Sequence, residues 1–287
     1  MFYLVTDTTA DLPKEFLKER NIGCISLSYI IDGVTYGHGK ELDPKEFFNM
    51  MRQGKMPTTS QVNLVEAYMF LSEAAKKEKE ILVLPLSSGI SGSYNSLQMA
   101  ARDVMNDYPQ CRIEVIDTLC ASLGEGMLVY RVAELRDKGY SLDEAKAWIE
   151  EHKLNFVHVF TVDDLFHLFR GGRVSRTAAV IGTLAGIKPM LHVDNDGHLI
   201  NIDKIRGRKK SLQAMVDYME LKRKNYQEED PIVMISHGDC IEDAEYVRDL
   251  VKERFGIDKF IINSLGPVIG AHTGPGLVAL FFMGESR

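Results

Sequence analysis

Ser87-Ser-Gly-Ile-Ser-Gly-Ser93 joins a short apolar run, Leu82 to Leu86, to a helix that starts near Asn95. A strand, a loop with little side chain and a helix N-terminus together suit an anion, because the first helical N–H groups have no partner within the helix. Two other readings stand beside that one. The stretch can be an ordinary Ser/Gly turn. It can also hold a nucleophile: Gly89-Ile-Ser91-Gly-Ser93 nearly matches G-x-S-x-G, but Ser93 stands where the elbow needs its second glycine. No Lys-Ser/Thr pair follows the glycines, so a Walker phosphate loop is excluded, and G-x-G-x-x-G is not met either.

Three further stretches carry possible chemistry. Thr58-Thr-Ser-Gln61 lies just before a helix; capping is its better reading, and hydroxyl donation to the same anion is the alternative. Leu265 to Gly276 is a glycine- and proline-rich loop around His272-Thr273. It is either a structural turn with a satisfied histidine or a donor held against a carboxylate. Arg170, Arg173, Arg176, Lys204, Arg206, Arg208, Lys209 and Lys210 form two basic clusters. Such runs are usually solvated helix faces, and here they can also form a docking surface for an acidic partner or a phosphate. Asp194-Asn-Asp196-Gly197 fails as a calcium loop, because Ile205 stands where the bidentate glutamate belongs. No metal-ligand spacing emerges elsewhere.

The elements that must position these residues alternate between strands and helices. Strands are expected at Phe2–Val5, Gly23–Ile31, Leu82–Leu86 and Arg112–Asp117, with helices between them, including capping boxes at Asn63/Glu66 and Ser141/Glu144. Alternation of this kind implies a mostly parallel sheet that binds ligands at the carboxyl ends of its strands. Thr6–Asp11, Thr58–Gln61 and Ser87–Ser93 are all expected near such ends. After about Lys153 the pattern changes. Strands at Phe156–Val162, Pro189–Val193 and His198–Asp203 include a hairpin through Asn195-Asp-Gly197, followed by a basic helix and further strand–helix alternation. The segment from Thr177 to Ala185 reads as helical.

The chain has 287 residues, 45% hydrophobic and 26% charged, which suffices for one large or two ordinary domains. Its net charge of -7 argues against nucleic acid as a partner. Cys24, Cys111, Cys120 and Cys240 form no C-x-x-C pair, which fits a reducing, cytoplasmic setting. The first residues lack the basic region and apolar core of a signal peptide, and no apolar run approaches a membrane span. No stable membrane insertion is therefore expected; transient contact is compatible.

Six motifs stand in the order found in the DegV family: Thr6-Asp-Thr-Thr-Ala-Asp-Leu-Pro13, Thr59-Ser-Gln61, Ser88-Gly-Ile-Ser-Gly-Ser93, Arg170-Gly-Gly-Arg173, Ile187-Lys-Pro189 and Gly270-Ala-His-Thr-Gly-Pro-Gly276. The chain resembles that family over essentially its whole length. The resemblance implies an α/β, parallel-sheet N-terminal domain (residues 1–154) packed against an α+β domain (155–287). A long-chain fatty acid would be the ligand between them. It further implies a lipid carrier with no catalytic residue, cofactor or metal, presenting the acyl carboxylate to a separate fatty acid kinase for phospholipid synthesis. Carried over by motif, Thr59, Ser60, Ser91, Gly92, His272 and Thr273 would hold the fatty acid. Arg170, Arg173 and Arg206 would support the head group or meet the kinase. Phe160, Leu165, Ile181, Leu184, Ile187 and Met190 are candidates for the tunnel wall. A dozen buried methylenes at about 0.8 kcal/mol each give roughly 10 kcal/mol before ordering costs. Neutral hydrogen bonds give about 1 kcal/mol apiece, so the tunnel should supply affinity and the loops orientation. The alternative is a serine-dependent hydrolase or acyltransferase using Ser91 and His272.

Overall fold

The computed structural model describes residues 1–163, 165–175 and 186–287. Four short apolar runs pair in parallel: β1 (Tyr3–Asp7), β2 (Gly23–Ile25), β6 (Glu80–Leu84) and β7 (Arg112–Val115), in the order β2-β1-β6-β7. Buried on both faces, such strands read as continuous apolar runs. The Gly23–Ile31 stretch is not one strand. After Ile25 the chain leaves the parallel sheet, the Leu27 N–H donates to Thr8 Oγ1 (3.0 Å), and β3 (Ser28–Ile31) begins a separate antiparallel sheet. Its partners are β4 (Val34–Tyr36) and β5 (Thr58–Ser60).

The second large sheet has the order β10-β9-β8-β13-β11-β12. Its strands are β8 (Phe156–Thr161), β9 (Ile187–Val193), β10 (Leu199–Arg206), β11 (Val233–His237), β12 (Phe260–Ser264) and β13 (Val278–Met283). Every pair is antiparallel except β11 with β12. The hairpin between β9 and β10 forms at the expected place. Asp194 Oδ1 accepts from the N–H groups of Asp196 and His198, which shapes the turn.

Alternation along this sheet sends its side chains into two compartments. Val157, Val159, Val278, Leu280 and Phe282 face α8 (Arg208–Arg223) and α9 (Ile241–Phe255), packing on Met215, Val216, Val247 and Val251. Phe156, Phe160, Ala279 and Phe281 face the other way, into the core shared with the first sheet. Between the two sheets runs α5 (Leu123–Asp137). It packs on β8, β11 and β13, and most of its residues are buried, Glu125 and Arg136 among them.

The remaining described helices are α1 (Lys14–Glu19), α2 (Pro44–Arg52), α3 (Leu64–Ala75), α4 (Ser93–Asp107), α6 (Leu142–His152), α7 (Phe166–Arg170) and α10 (Pro267–Thr273). Ser141 and Glu144 form the complete reciprocal cap of α6. Asn63 caps α3, but Glu66 turns away to pair with His38 at 3.1 Å, so that box is half formed. Two stretches expected as loops are regular structure. Thr58–Ser60 is β5, in the small antiparallel sheet and not at a parallel strand end; Pro267–Thr273 is α10, opened by Pro267 and stopped at Gly274. The expected Thr177–Ala185 helix, with Arg176, Ile181 and Leu184, falls outside the described residues. No described helix is long and apolar enough to cross a membrane. The architecture is α/β, a parallel-sheet half packed against an α+β half.

Candidate functional site

A cavity opens between the two large sheets. Its polar lining gathers at one end, where Thr59, Ser60, Gln61, Ser91, Arg173, His272 and Thr273 meet. Each arrives from a different local rule. Thr59 is placed by β5, in register with Tyr29 of β3. On α10, Leu265, Val268, Ile269, His272 and Thr273 all line the cavity; this 3/4 spacing is one helix face, continued back through its entry. Ser91 lies two residues before Ser93, the first residue of α4, and its hydroxyl oxygen accepts from the Ser93 N–H (3.2 Å). The N-terminus of the 15-residue α4 therefore points its positive end at this region.

Thr59 Oγ1 and His272 Nε2 are 2.7 Å apart. Burial pushes the His272 pKa down to about 4, helped by the charges of Arg173 and Arg170, so the ring is neutral at pH 7. With Nε2 protonated, the ring donates to Thr59 and leaves the threonine hydrogen for an anion in the cavity. His272 Nδ1 is buried without a hydrogen-bond partner among the described residues. The ring lies so close to Gly171 that any Cβ there would overlap it.

Arg170 and Arg173 tie the mouth together. Arg170 donates to the carbonyls of Pro57 (2.8 Å) and Ala271 (3.0 Å), joining the entry of β5 to α10. Arg173 donates to the carbonyls of Ile90 (3.1 Å) and Gly171 (2.5 Å), fixing the Ser91 loop. That loop is also held from the second sheet: Ser87 Oγ donates to Gly197 O (3.0 Å) at the β9–β10 turn. Gly197 has φ +77°, and a Cβ there would overlap Ser87.

The structure brings together Thr59, Ser60, Ser91, His272, Thr273, Arg170 and Arg173, but their roles are not alike. Thr273 lines the cavity while its hydroxyl bonds back to Ile269 O (3.2 Å). Gly92 caps α4 and makes room for the Gln61 side chain. Arg206 is not at the mouth; it is exposed at the end of β10, opposite Ile187, and is absent from the cavity lining. Of the proposed wall residues, Phe160 lines the cavity. Leu165 is core, and Met190 faces the α8 compartment on the far side of its sheet. Ile187 lies outside the lining. The wall is instead Leu27, Leu86, Val193, Leu199, Leu277, Ala279 and Phe281.

A hydrolytic dyad of Ser91 with His272 is not formed. Ser91 bonds Ser93, and His272 bonds Thr59. The Thr59–His272 pair has hydroxyl–imidazole distance, but no group orients Nδ1, as a working triad requires. The arrangement can hold an anion with an apolar tail; it has no activated nucleophile.

Sequence reasoning missed a buried polar chain behind the wall. Asp11, Ser122 and Ser236 are joined by hydrogen bonds, and Glu125 lies nearby against Thr6 and Thr9. Burial raises the pKa of Asp11 to about 7 and that of Glu125 well above its usual value. Only the Thr6–Asp11 motif signalled it.

Comparison with known proteins agrees with this geometry. A family model, "Uncharacterised protein, DegV family", matches residues 1–285. A DegV domain-containing protein of Clostridium perfringens is 42% identical, with 100% of this chain and 98% of that protein covered. A solved fatty-acid-binding DegV family protein of Thermus thermophilus is 29% identical, with a TM-score of 0.89 and 99% of each chain covered. DegV of Bacillus subtilis, described as a fatty acid binding protein, is 30% identical, with a TM-score of 0.86 and 99% of each chain covered. The chain belongs to the DegV family.

Proposed function

We propose that this protein binds a long-chain fatty acid in the cavity, with the carboxylate at the Thr59–Ser91–His272 mouth and the tail along the apolar wall. The observation that carries the reading is the segregation within one cavity: hydroxyls, an imidazole and a guanidinium at one end, leucines and phenylalanines toward the other. Such sites hold a ligand by apolar area and orient it with few polar groups. The fatty-acid-binding relatives support the choice of ligand. In this reading the protein is a cytoplasmic carrier without chemistry of its own, and a separate fatty acid kinase phosphorylates the presented carboxylate for phospholipid synthesis. Arg206, exposed at the end of β10, would face that kinase; Arg170 and Arg173 would act by holding the loops. The test is reconstitution. Protein loaded with octadecanoic acid is mixed with a bacterial fatty acid kinase subunit and ATP. Acyl phosphate should form only when the carrier is present, and Arg206→Glu should slow it without releasing the ligand. Acyl phosphate formed equally well without the carrier would contradict the reading.

A further inference from the structure

Away from its mouth the cavity wall is apolar with two exceptions, Ser122 and His158. His158 has nothing to offer a ligand. Its Nδ1 bonds Phe156 O (2.9 Å), and Nε2 accepts from the Ala121 N–H (3.3 Å). Burial holds its pKa well below the usual value, so it is neutral and both ring nitrogens are engaged.

Ser122 is different. It precedes α5 with φ 53° and ψ -144°, a backbone conformation costly for a residue with a Cβ. Its hydroxyl is 2.5 Å from Asp11 Oδ2 and 2.9 Å from Ser236 Oγ. All three residues are buried, and of the three only Ser122 lines the cavity. With Asp11 ionised, its carboxylate only accepts, so Ser122 gives it the single hydroxyl hydrogen. The Ser236 contact must then run the other way, from Ser236 O–H to Ser122 Oγ. A hydroxyl oxygen accepts twice, so one acceptor position remains on Ser122, the member of the three that lines the cavity.

The place along the chain follows from α10. The Gly266 N–H donates to Asp11 Oδ1 (2.8 Å), so the polar chain abuts the start of that helix. His272 lies six residues on, about 9 Å away at 1.5 Å per residue. A tail running from the mouth along this face passes Ser122 near the middle of the acyl chain.

We propose that Ser122, backed by Asp11 and Ser236, is a recognition site for an alcohol on the middle of the acyl chain, so that the cavity accepts mid-chain hydroxylated fatty acids. This rests on the fatty-acid reading above. The vacant position is an acceptor, so it takes a ligand hydroxyl, which donates, and gives nothing to a ketone, which only accepts. An unpaired polar group in an apolar wall is heavily penalised, and this makes the discrimination sharp.

The experiment measures binding of octadecanoic acid, of 8-, 10- and 12-hydroxyoctadecanoic acids and of the matching oxo acids. It is run at pH 8.5, above the value of about 7 to which burial raises Asp11. Proteins compared are the natural one, Ser122→Ala and Ser122→Gly; glycine suits the positive φ and guards against misfolding. The best hydroxy acid should bind the natural protein within about threefold of octadecanoic acid, and about tenfold tighter than its oxo counterpart. Both substitutions should weaken that hydroxy acid about tenfold and leave octadecanoic acid within about threefold. Equal loss for all acids, or an unchanged hydroxy-to-oxo ratio in both variants, would overturn the proposal. If octadecanoic acid itself does not bind the natural protein, the fatty-acid reading fails first.

Discussion

At the cavity mouth, Thr59, Ser91 and His272 come from three separate elements, a strand, a loop and a helix, and are joined through the side chains of Arg170 and Arg173. In the interior, Phe160, Val193, Ala279 and Phe281 come from neighbouring strands of one sheet and need only the pleat to face the same way. The first region has many directional bonds and little apolar area; the second has the reverse. Orientation and affinity are therefore separable here, and substitutions in the two regions should fail differently.

The largest effect is expected in the interior. Ala279→Phe puts a ring into the cavity and displaces about five methylenes, a loss of ~4 kcal/mol of binding at about 0.8 kcal/mol each. Octadecanoic acid should then bind several hundredfold more weakly, and a shorter acid such as dodecanoic acid should lose less. Equal losses for both chains, measured by calorimetry, would mean that Ala279 does not bound the tail.

Next comes the buried carboxyl chain behind the interior wall. Burial raises the Asp11 pKa from 3.8 to about 7. The folded protein then holds a proton that the unfolded chain releases, so stability falls as pH rises from about 4 to about 7. The loss from this group is on the order of 4 kcal/mol across that window, and Glu125 and Asp7 shift in the same direction. Urea unfolding at pH 5 and pH 8 should show the decline, and Asp11→Asn should flatten it. An identical pH slope in that variant would remove Asp11 from the account.

Effects at the mouth should be smaller. Arg173→Ala breaks the tie to Ile90 and Gly171 and should weaken fatty acid binding about tenfold, with slower kinase turnover following from the loosened Ser91 loop. Turnover lost with affinity unchanged would instead make Arg173 a kinase contact. His272→Ala should cost about threefold to tenfold, and the affinity of the natural protein should show no break near pH 6.5, because the ring stays neutral down to about 4. A one-proton break near pH 6.5 would contradict the buried, neutral histidine.

Much of this was legible in the residues. Apolar runs located nearly every long strand, Ser141 and Glu144 announced α6, and Asn195-Asp-Gly197 announced the hairpin. The motif order pointed to Thr59, Ser91 and His272. Other features were present but read as turns. Pro267 and Gly274 bracket α10, and Leu265, Val268, Ile269, His272 and Thr273 carry helical spacing, yet the density of glycine masked it. Of the wall, only Phe160 was read correctly. β8, β9 and β13 carry apolar residues on both faces, so nothing local tells Phe160, which meets the cavity, from Met190, which meets α8. The same holds for Arg170 and Arg173: only the tertiary structure sets their guanidinium groups against carbonyls instead of solvent or a partner.

The measurement closest to the central claim is mass spectrometry of the intact protein purified from bacteria, before and after denaturation. The cavity predicts one fatty acid per chain, retained under native conditions and released on unfolding, with the Ala279→Phe protein carrying shorter chains or none. A natural protein free of lipid that also fails to take up added octadecanoic acid would contradict the account.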